Sequence, residues 1–287
     1  MKQLTVISGK GGTGKTSLVG AFAALAKDKV LADCDVDASD LHLLLHPEIL
    51  EEKDFKALKT AEINQSKCIG CGKCEDNCVF DAINEYVVDS ISCEGCGVCE
   101  YVCPADAISL KDKVAGKTYI SKTRFGPLCH ARLNPGEEAS GKLVTEVRNN
   151  AQKLAEEEGW GLIIIDGSPG IGCPVIASIG GVDLVLAVTE PTMSGLHDLV
   201  RILAVADHFN VPSKVCINKC DINHSKSLEI EKFCLDEGVE VVGKIPYDLS
   251  FTKAQIQGKT IIEYENASVS KEIKQVWDAV NRFLEYG

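Results

Sequence analysis

A glycine-rich segment near the start of the chain, GKGGTGKT at residues 9–16, constrains the fold more than any other feature. It follows a short apolar run, LTVIS, and precedes TSLVGAFAALAKDK, which has the composition of a helix. The segment fits G-x-x-x-x-G-K-[ST], which forms a phosphate-binding loop when it joins a strand to a helix. The sequence therefore predicts a nucleotide-binding α/β domain.

The residue types of this loop predict how it holds a nucleotide. Glycines let backbone N–H groups turn toward the phosphates, at a helix N-terminus that attracts anions. We expect Lys15 to reach the β- and γ-phosphates and Thr16 to bind Mg²⁺. The predicted contacts are Gly9, Lys10, Gly11, Gly12, Thr13, Gly14, Lys15, Thr16 and Ser17.

Continuous apolar runs recur along the rest of the chain: KVLADCD, GLIIIDGS, DLVLAVTE, SKVCIN and VEVVGKIP. Such runs are typical of parallel strands covered by helices on both faces. Helical patterns lie between them, at residues 142–158 and 196–208. The order predicts a doubly wound, mostly parallel sheet. Asp166 ends one of these strands, where a carboxylate can hold a Mg²⁺-bound water.

The pattern breaks at residues 61–112, where eight cysteines form an internal repeat. The run C-x2-C-x2-C-x3-C begins at Cys68 and recurs 25 residues later at Cys93, and each copy ends in Asp-Ala-Ile. We therefore predict an inserted α+β module at 61–112, within an ATPase domain formed by 1–60 and 113–287. The segment 116–141 after the module is expected to be rich in loops.

The cysteine spacing is that of bacterial two-cluster ferredoxins, in which the fourth cysteine of each run ligates the other cluster. We expect two 4Fe–4S clusters, the first held by Cys68, Cys71, Cys74 and Cys103, and the second by Cys93, Cys96, Cys99 and Cys78. Two zinc sites are the alternative, since zinc also takes four thiolates. Zinc ribbons usually separate their two C-x2-C pairs by a longer stretch.

The segment expected to recognise the base is compatible with either GTP or ATP. Asn218, Lys219 and Asp221 match the N-K-x-D pattern of GTPases, which alone predicts guanine. An adenine-binding class with an asparagine after the same strand is the alternative, and we favour ATP.

These motifs together resemble the MinD superfamily of P-loop ATPases (MinD, Mrp, ParA and the nitrogenase iron protein), in members that contain an inserted ferredoxin domain. The early lysine of GKGGTGKT is typical of the deviant Walker A loop of this class. The resemblance implies that Lys10 reaches the partner's nucleotide in an ATP-bound homodimer. It also implies that Asp35 lies near the attacking water and Asp33 near the Mg²⁺ shell, together with Thr16 and Asp166.

The same resemblance implies that Pro169 and Gly170 of D-x-x-P-G sense the γ-phosphate, and that Asn218, Lys219, Pro246 and Tyr247 border the adenosine. Lys10, Lys15, Asp35 and Asp166 are then the predicted catalytic residues. In nitrogenase iron proteins a cysteine at the position of Cys173 ligates a shared cluster. The second such cysteine falls at Ala139 here, which disfavours a bridging cluster.

The composition restricts partners and location. The net charge of −12 disfavours nucleic-acid partners, and the chain has no apolar run long enough for membrane insertion. Fourteen cysteines without a signal segment favour metal use in the cytoplasm. We expect nucleotide state to be coupled to electron transfer to, or metallocluster assembly on, a metalloprotein or redox partner. The alternatives are a ParA- or Mrp-like loading ATPase with structural or sensory clusters, and an iron–sulfur carrier.

Overall fold

The computed structural model describes residues 1–137, 140–265 and 268–286. The chain divides into two compact units, which are described separately. The first unit contains Met1–Glu52, Thr118–Arg132 and Ser140–Gly287, and the second contains Lys53–Lys117 and Leu133–Ala139.

Eleven strands lie in these described ranges: β1 (Lys2–Ser8), β2 (Lys29–Asp33), β3 (Glu48–Ile63), β4 (Ile83–Asn84), β5 (Val87–Val88), β6 (Ile108–Thr123), β7 (Gly126–Leu133), β8 (Leu162–Pro169), β9 (Leu184–Thr189), β10 (Ser213–Asn218) and β11 (Glu240–Ile245). The helices are α1 (Lys15–Leu25), α2 (Leu41–Leu45), α3 (Lys73–Asp76), α4 (Val98–Val102), α5 (Ser140–Glu158), α6 (Cys173–Ile179), α7 (Met193–His208), α8 (His224–Asp236), α9 (Ser250–Ile256) and α10 (Ser270–Tyr286).

The main sheet has the strand order β11-β10-β9-β1-β8-β2-β7-β6-β3. Every neighbouring pair from β11 to β7 is parallel. The predicted mostly parallel α/β sheet is therefore confirmed. Because β1 lies between β8 and β9, its carboxyl end opens at a switch in strand order, where α/β sheets commonly bind ligands.

The prediction of a loop-rich stretch at 116–141 is wrong over much of its length. β6 continues to Thr123, and after the two-residue turn at Arg124 and Phe125 the chain returns as β7, which pairs with β2. These strands were not predicted because several of their buried residues are polar: Thr118, Ser121, Thr123 and His130. Buried polar side chains weaken the apolar run by which a covered strand is recognised.

The C-terminal helix, α10, packs into the core of the first unit. Buried residues of α10 join α1 and the sheet in one apolar cluster, and the Phe22 and Trp277 rings lie 5.0 Å apart between centroids. Within the described residues, no helix is both long and apolar enough to cross a membrane.

The second unit repeats its backbone geometry at an interval of 25 residues. α3 and α4 each follow a glycine with positive φ, Gly72 at 73° and Gly97 at 81°. The hydrogen bonds repeat too: Asn64 N–H donates to Ala107 O at 2.7 Å, and Asp89 N–H donates to Ala82 O at 2.8 Å. Each of these bonds links one copy of the repeat to the other.

Candidate functional site

A pocket of about 510 Å³ opens at the carboxyl end of β1 in the first unit. The residues that line it include most of the predicted nucleotide contacts: Gly11, Gly12, Thr13, Gly14, Lys15, Thr16, Ser17, Asp35, Pro169, Asn218, Lys219, Pro246 and Tyr247. Its other lining residues, which are not among the predicted contacts, include Asp40, Asp248, Phe251, Thr252 and Gln255. Five predicted residues do not line it: Gly9, Lys10, Asp33, Asp166 and Gly170.

Two side chains of the base-recognition segment, at the end of β10, hold the phosphate loop in shape. Asn218 Nδ2 donates to the Thr13 carbonyl at 2.7 Å, and Lys219 Nζ donates to the Gly12 carbonyl at 2.9 Å. Gly14 has φ 92°, and a Cβ there would lie 2.3 Å from Asn218 Nδ2. This position therefore requires glycine, on grounds of both backbone conformation and space.

Lys15 lies between two carboxylates at the floor of the pocket. Its Nζ is 2.5 Å from Asp166 Oδ1 and 3.3 Å from Asp35 Oδ2. The Lys15 side chain is 5% exposed, and burial opposes its charge. The carboxylates of Asp166, Asp35 and Asp33 outweigh that burial and raise the Lys15 pKa.

The two carboxylates that follow β2 are also perturbed. Burial, and then the charge of Asp166, raises the pKa of Asp33 to about 7. Burial also raises the pKa of Asp35, against the opposing charge of Lys15. Ser39 Oγ donates to Asp33 Oδ2 at 2.6 Å, which fixes this carboxylate beneath the pocket.

Asp166 keeps a free carboxylate oxygen in a buried position. Its side chain is fully buried, and Oδ2 has no hydrogen-bond partner among the described residues. A buried unpaired carboxylate oxygen is costly. It is also the type of oxygen ligand that Mg²⁺ or its bound water takes. The donor set of Thr16, Asp33 and Asp166 therefore fits a hard cation.

Lys10 is turned away from the pocket and ion-paired within its own chain. Its Nζ lies 2.6 Å from Glu190 Oε1 and 3.1 Å from Ser194 Oγ. The other Glu190 oxygen accepts from Lys219 Nζ at 3.0 Å. No motif indicates Glu190. It directly follows β9, so it lies at the edge of the sheet formed by the carboxyl ends of the strands, where α/β proteins bind ligands.

The segment after β8 is likewise bonded to the loop of the same chain. The Gly170 N–H donates to the Ser8 carbonyl at 2.9 Å, and Gly170 has φ 94°. The N–H that was predicted to sense a γ-phosphate thus has a protein acceptor here. Cys173 is exposed at the start of α6. Ala139, the position of a second bridging cysteine, lies outside the described residues.

The base end of the pocket is organised by a backbone contact. Tyr247 N–H donates to Asp221 Oδ1 at 2.7 Å, so this carboxylate is partly engaged by the protein. Asp221 does not line the pocket, whereas Pro246 and Tyr247 do. The aspartate on which guanine recognition would depend is therefore turned toward the loop that follows β11.

The eight repeat cysteines of the second unit divide between two separate pockets. One pocket is lined by Cys68, Cys71, Cys74 and Cys103, and the other by Cys78, Cys93, Cys96 and Cys99. In each set the fourth cysteine of one copy joins three cysteines of the other. These are the two groupings that the sequence predicts.

Backbone N–H groups point at several of these sulfur atoms. Ala82 N–H donates to Cys78 Sγ at 3.4 Å, and Ala107 N–H donates to Cys103 Sγ at 3.4 Å. Ala61 N–H donates to Cys93 Sγ at 3.5 Å. Such donors stabilise thiolates and tune the metal groups that thiolates hold.

In the part of the chain that the structure describes, no group of three or more His, Cys, Asp or Glu side chains is arranged to hold a metal ion. The four cysteines around each pocket are nevertheless the kind of thiolate donors that an iron–sulfur cluster or a zinc ion takes.

Comparison with known proteins identifies the family. The model of the CobQ/CobB/MinD/ParA nucleotide-binding domain matches residues 4–261. The chain belongs to this family. It is a P-loop ATPase of the MinD/ParA type. ATP and Mg²⁺ as ligands are consistent with this family.

The chain is also similar to several known proteins and to solved structures of the same fold. An uncharacterized protein of Methanocaldococcus jannaschii is 36% identical over 98% of this chain and 97% of its own length. An iron-sulfur cluster carrier protein of Pyrococcus horikoshii is 28% identical over 50% of this chain and 54% of its own length. The structure of the septum site-determining protein MinD of P. horikoshii with Mg-ADP has a TM-score of 0.60 and 15% identity, and the match covers 98% of this chain and 96% of that one.

Proposed function

We propose that this chain is a Mg²⁺-dependent ATPase that acts as a homodimer and couples its nucleotide state to electron transfer to, or metallocluster assembly on, a partner metalloprotein or redox protein. One observation carries the redox part. Eight cysteines from two sequence copies sort across the copies into two sets of four, each around its own pocket. This crossed grouping is the ligand pattern of two-cluster ferredoxins.

The residues that would hold each group follow from the site. Thr16, Asp33 and Asp166 would hold Mg²⁺, and the two cysteine sets would hold two 4Fe–4S clusters. When bound, such clusters supply one-electron redox chemistry. The protein contributes thiolates, N–H donors to sulfur and a buried backbone around them.

Three contacts within the chain must change when ATP binds in this proposal. Lys15 Nζ leaves Asp166, 2.5 Å away, to reach the phosphates. The Gly170 N–H exchanges the Ser8 carbonyl for the γ-phosphate. Lys10 leaves Glu190 to reach the partner's nucleotide. Each exchange gives ATP a differential affinity for one conformation, which is what a nucleotide switch requires.

Spectroscopy of anaerobically purified protein tests the proposal. We expect about eight irons per chain by the assignment of two four-iron clusters, and a signal from reduced clusters that changes when ATP is added. Lys15→Ala and Lys10→Ala should keep the iron and lose the ATP-dependent change. Zinc in place of iron, or a cluster signal indifferent to ATP in the wild type, contradicts it.

An iron–sulfur carrier is the second candidate, and the partial match to a cluster carrier protein favours it. The two candidates differ in what leaves the protein. A carrier transfers iron and sulfide to an apo-protein and ends with empty pockets, whereas an electron-transfer ATPase retains its iron through repeated turnovers.

A further inference from the structure

The internal repeat of the second unit allows its two cysteine pockets to be compared position by position. Four apolar residues adjoin the Cys78, Cys93, Cys96 and Cys99 pocket: Val79, Phe80, Val98 and Tyr101. Their counterparts 25 residues away in the other copy are Pro104, Ala105, Lys73 and Asp76. The two copies share the same backbone geometry, so the fold does not require apolar side chains at these four positions.

These four side chains are exposed to solvent. Val79 is 84% exposed and Tyr101 is 91% exposed, and Phe80 and Val98 are each 42% exposed. Phe80 and Val98 line the pocket itself. Val79 precedes Phe80, and Tyr101 follows Val98 by three residues on α4, a spacing that puts both on one helix face. We call these four residues the apolar rim.

The chain segment that bears the apolar rim is acidic, and the exposed lysine nearest the pocket is Lys59, on the strand beside Gly95. Residues 74–110 contain eight acidic side chains and no lysine, arginine or histidine. Exposed Asp81, Glu94 and Glu100 lie within two residues of the second-set cysteines or of the apolar rim. Such a surface repels another copy of itself and nucleic acid, and it attracts a positively charged protein.

We propose that the apolar rim is the docking face for a redox partner whose contact surface is apolar at its centre and basic at its edge. Cys78, Cys93, Cys96 and Cys99 would hold an iron–sulfur group there, and one electron would pass between that group and the partner, so that one is oxidised as the other is reduced. No bond is made or broken. The inference rests on the proposed function, because it names the partner's chemistry and the pocket that faces it.

Ferricytochrome c, a basic protein with an exposed haem edge, is a suitable probe. The test variant is Val79→Ser with Tyr101→Ser, and the control is Ile69→Ser with Val87→Ser, whose side chains are 68% and 65% exposed. All four positions are surface positions, so neither variant should impair folding. The protein is reduced with dithionite, desalted anaerobically and mixed with the probe.

We expect the test variant to reduce ferricytochrome c about tenfold more slowly than the wild type, which corresponds to about 1.4 kcal/mol. The control should stay within about twofold. The wild-type rate should also fall steeply as salt is added. Equal rates in wild type and test variant, or an equal loss in the control, overturn the docking face.

Calorimetry with the same probe at low salt separates this inference from the function on which it rests. Binding can be measured without reducing the protein. If the wild type cannot be reduced, the redox proposal is wrong, but binding of the probe to the apolar rim can still be measured. We expect affinity to fall about tenfold in the test variant only. Unchanged affinity overturns the docking face even if the clusters are reducible.

Discussion

The Glu190 carboxylate lies 2.6 Å from the Lys10 ammonium of the same chain. In the proposed dimer this ammonium is needed at the partner's nucleotide, so the ion pair competes with dimer formation. The Glu190 side chain is 13% exposed and the Lys10 side chain 33%. A pair exposed to this degree contributes about 1 kcal/mol or less, which ATP binding can overcome.

Glu190→Gln should therefore favour the dimer. Removing the charge frees Lys10, and we expect the ATP-analogue dimer to form at a severalfold lower protein concentration, as about 1 kcal/mol implies. Analytical ultracentrifugation with a non-hydrolysable ATP analogue measures this. Ser194 Oγ also accepts from Lys10 but carries no charge, so Ser194→Ala is the matched control, and it should not reproduce the gain. A weaker dimer in Glu190→Gln contradicts the competition.

Lys15→Met should have two separable effects. It removes the cation that reaches the phosphates, so ATP affinity measured by calorimetry should fall by at least about a hundredfold. It also leaves Asp166 and Asp35 as buried neighbours without their counter-charge. Because breaking a buried pair costs about 3–5 kcal/mol, the nucleotide-free variant should unfold at a lower denaturant concentration. Normal affinity in a fully folded variant would argue against the phosphate role.

The crossed cysteine sets predict which substitutions act alike. Cys78→Ser should remove the same cluster as Cys93→Ser, although Cys78 belongs to the first sequence copy. Cys103→Ser should match Cys68→Ser. Iron content should fall by about half in each, and the electron spin resonance spectrum of the remaining cluster should be shared within each pair. If Cys78→Ser instead matched Cys68→Ser, each cluster would be bound within one copy.

Local motifs predict best where chemistry restricts residue type and spacing. The phosphate loop lines one pocket beside the strand-end Asp166, and the eight cysteines line two others. Phosphate binding, and the cluster binding that we propose, leave little choice of sequence. The same motifs could not foretell where Lys10 rests, because its acceptor Glu190 is 180 residues away in the chain. The strands β6 and β7 could not be predicted for a related reason. Their buried polar residues Ser121 and His130 form a hydrogen bond with each other only once the chain has folded.

His130 gives the last prediction, which concerns stability rather than function. Its Nε2 lies 2.9 Å from Ser121 Oγ, and its ring stacks on Tyr119 with centroids 4.9 Å apart. Burial, and then the nearby His42, lowers the His130 pKa to about 4. The folded protein therefore holds His130 neutral at pH values at which the unfolded chain already binds a proton.

Because the unfolded chain binds more protons between about pH 6.5 and pH 4, the His130 contribution to the free energy of unfolding is complete above pH 6.5 and is lost as the pH falls toward 4. We expect a loss of about 3 kcal/mol by pH 4, from about 1.4 kcal/mol per pKa unit. Asp33, with its raised pKa of about 7, has the opposite sign, since the folded protein holds its proton longer as pH rises. Denaturant titrations of wild type and His130→Gln across this range isolate the histidine, because Asp33 contributes equally to both. The difference between the two curves should shrink steadily toward pH 4, and a difference independent of pH would mean that His130 is solvated in the folded state.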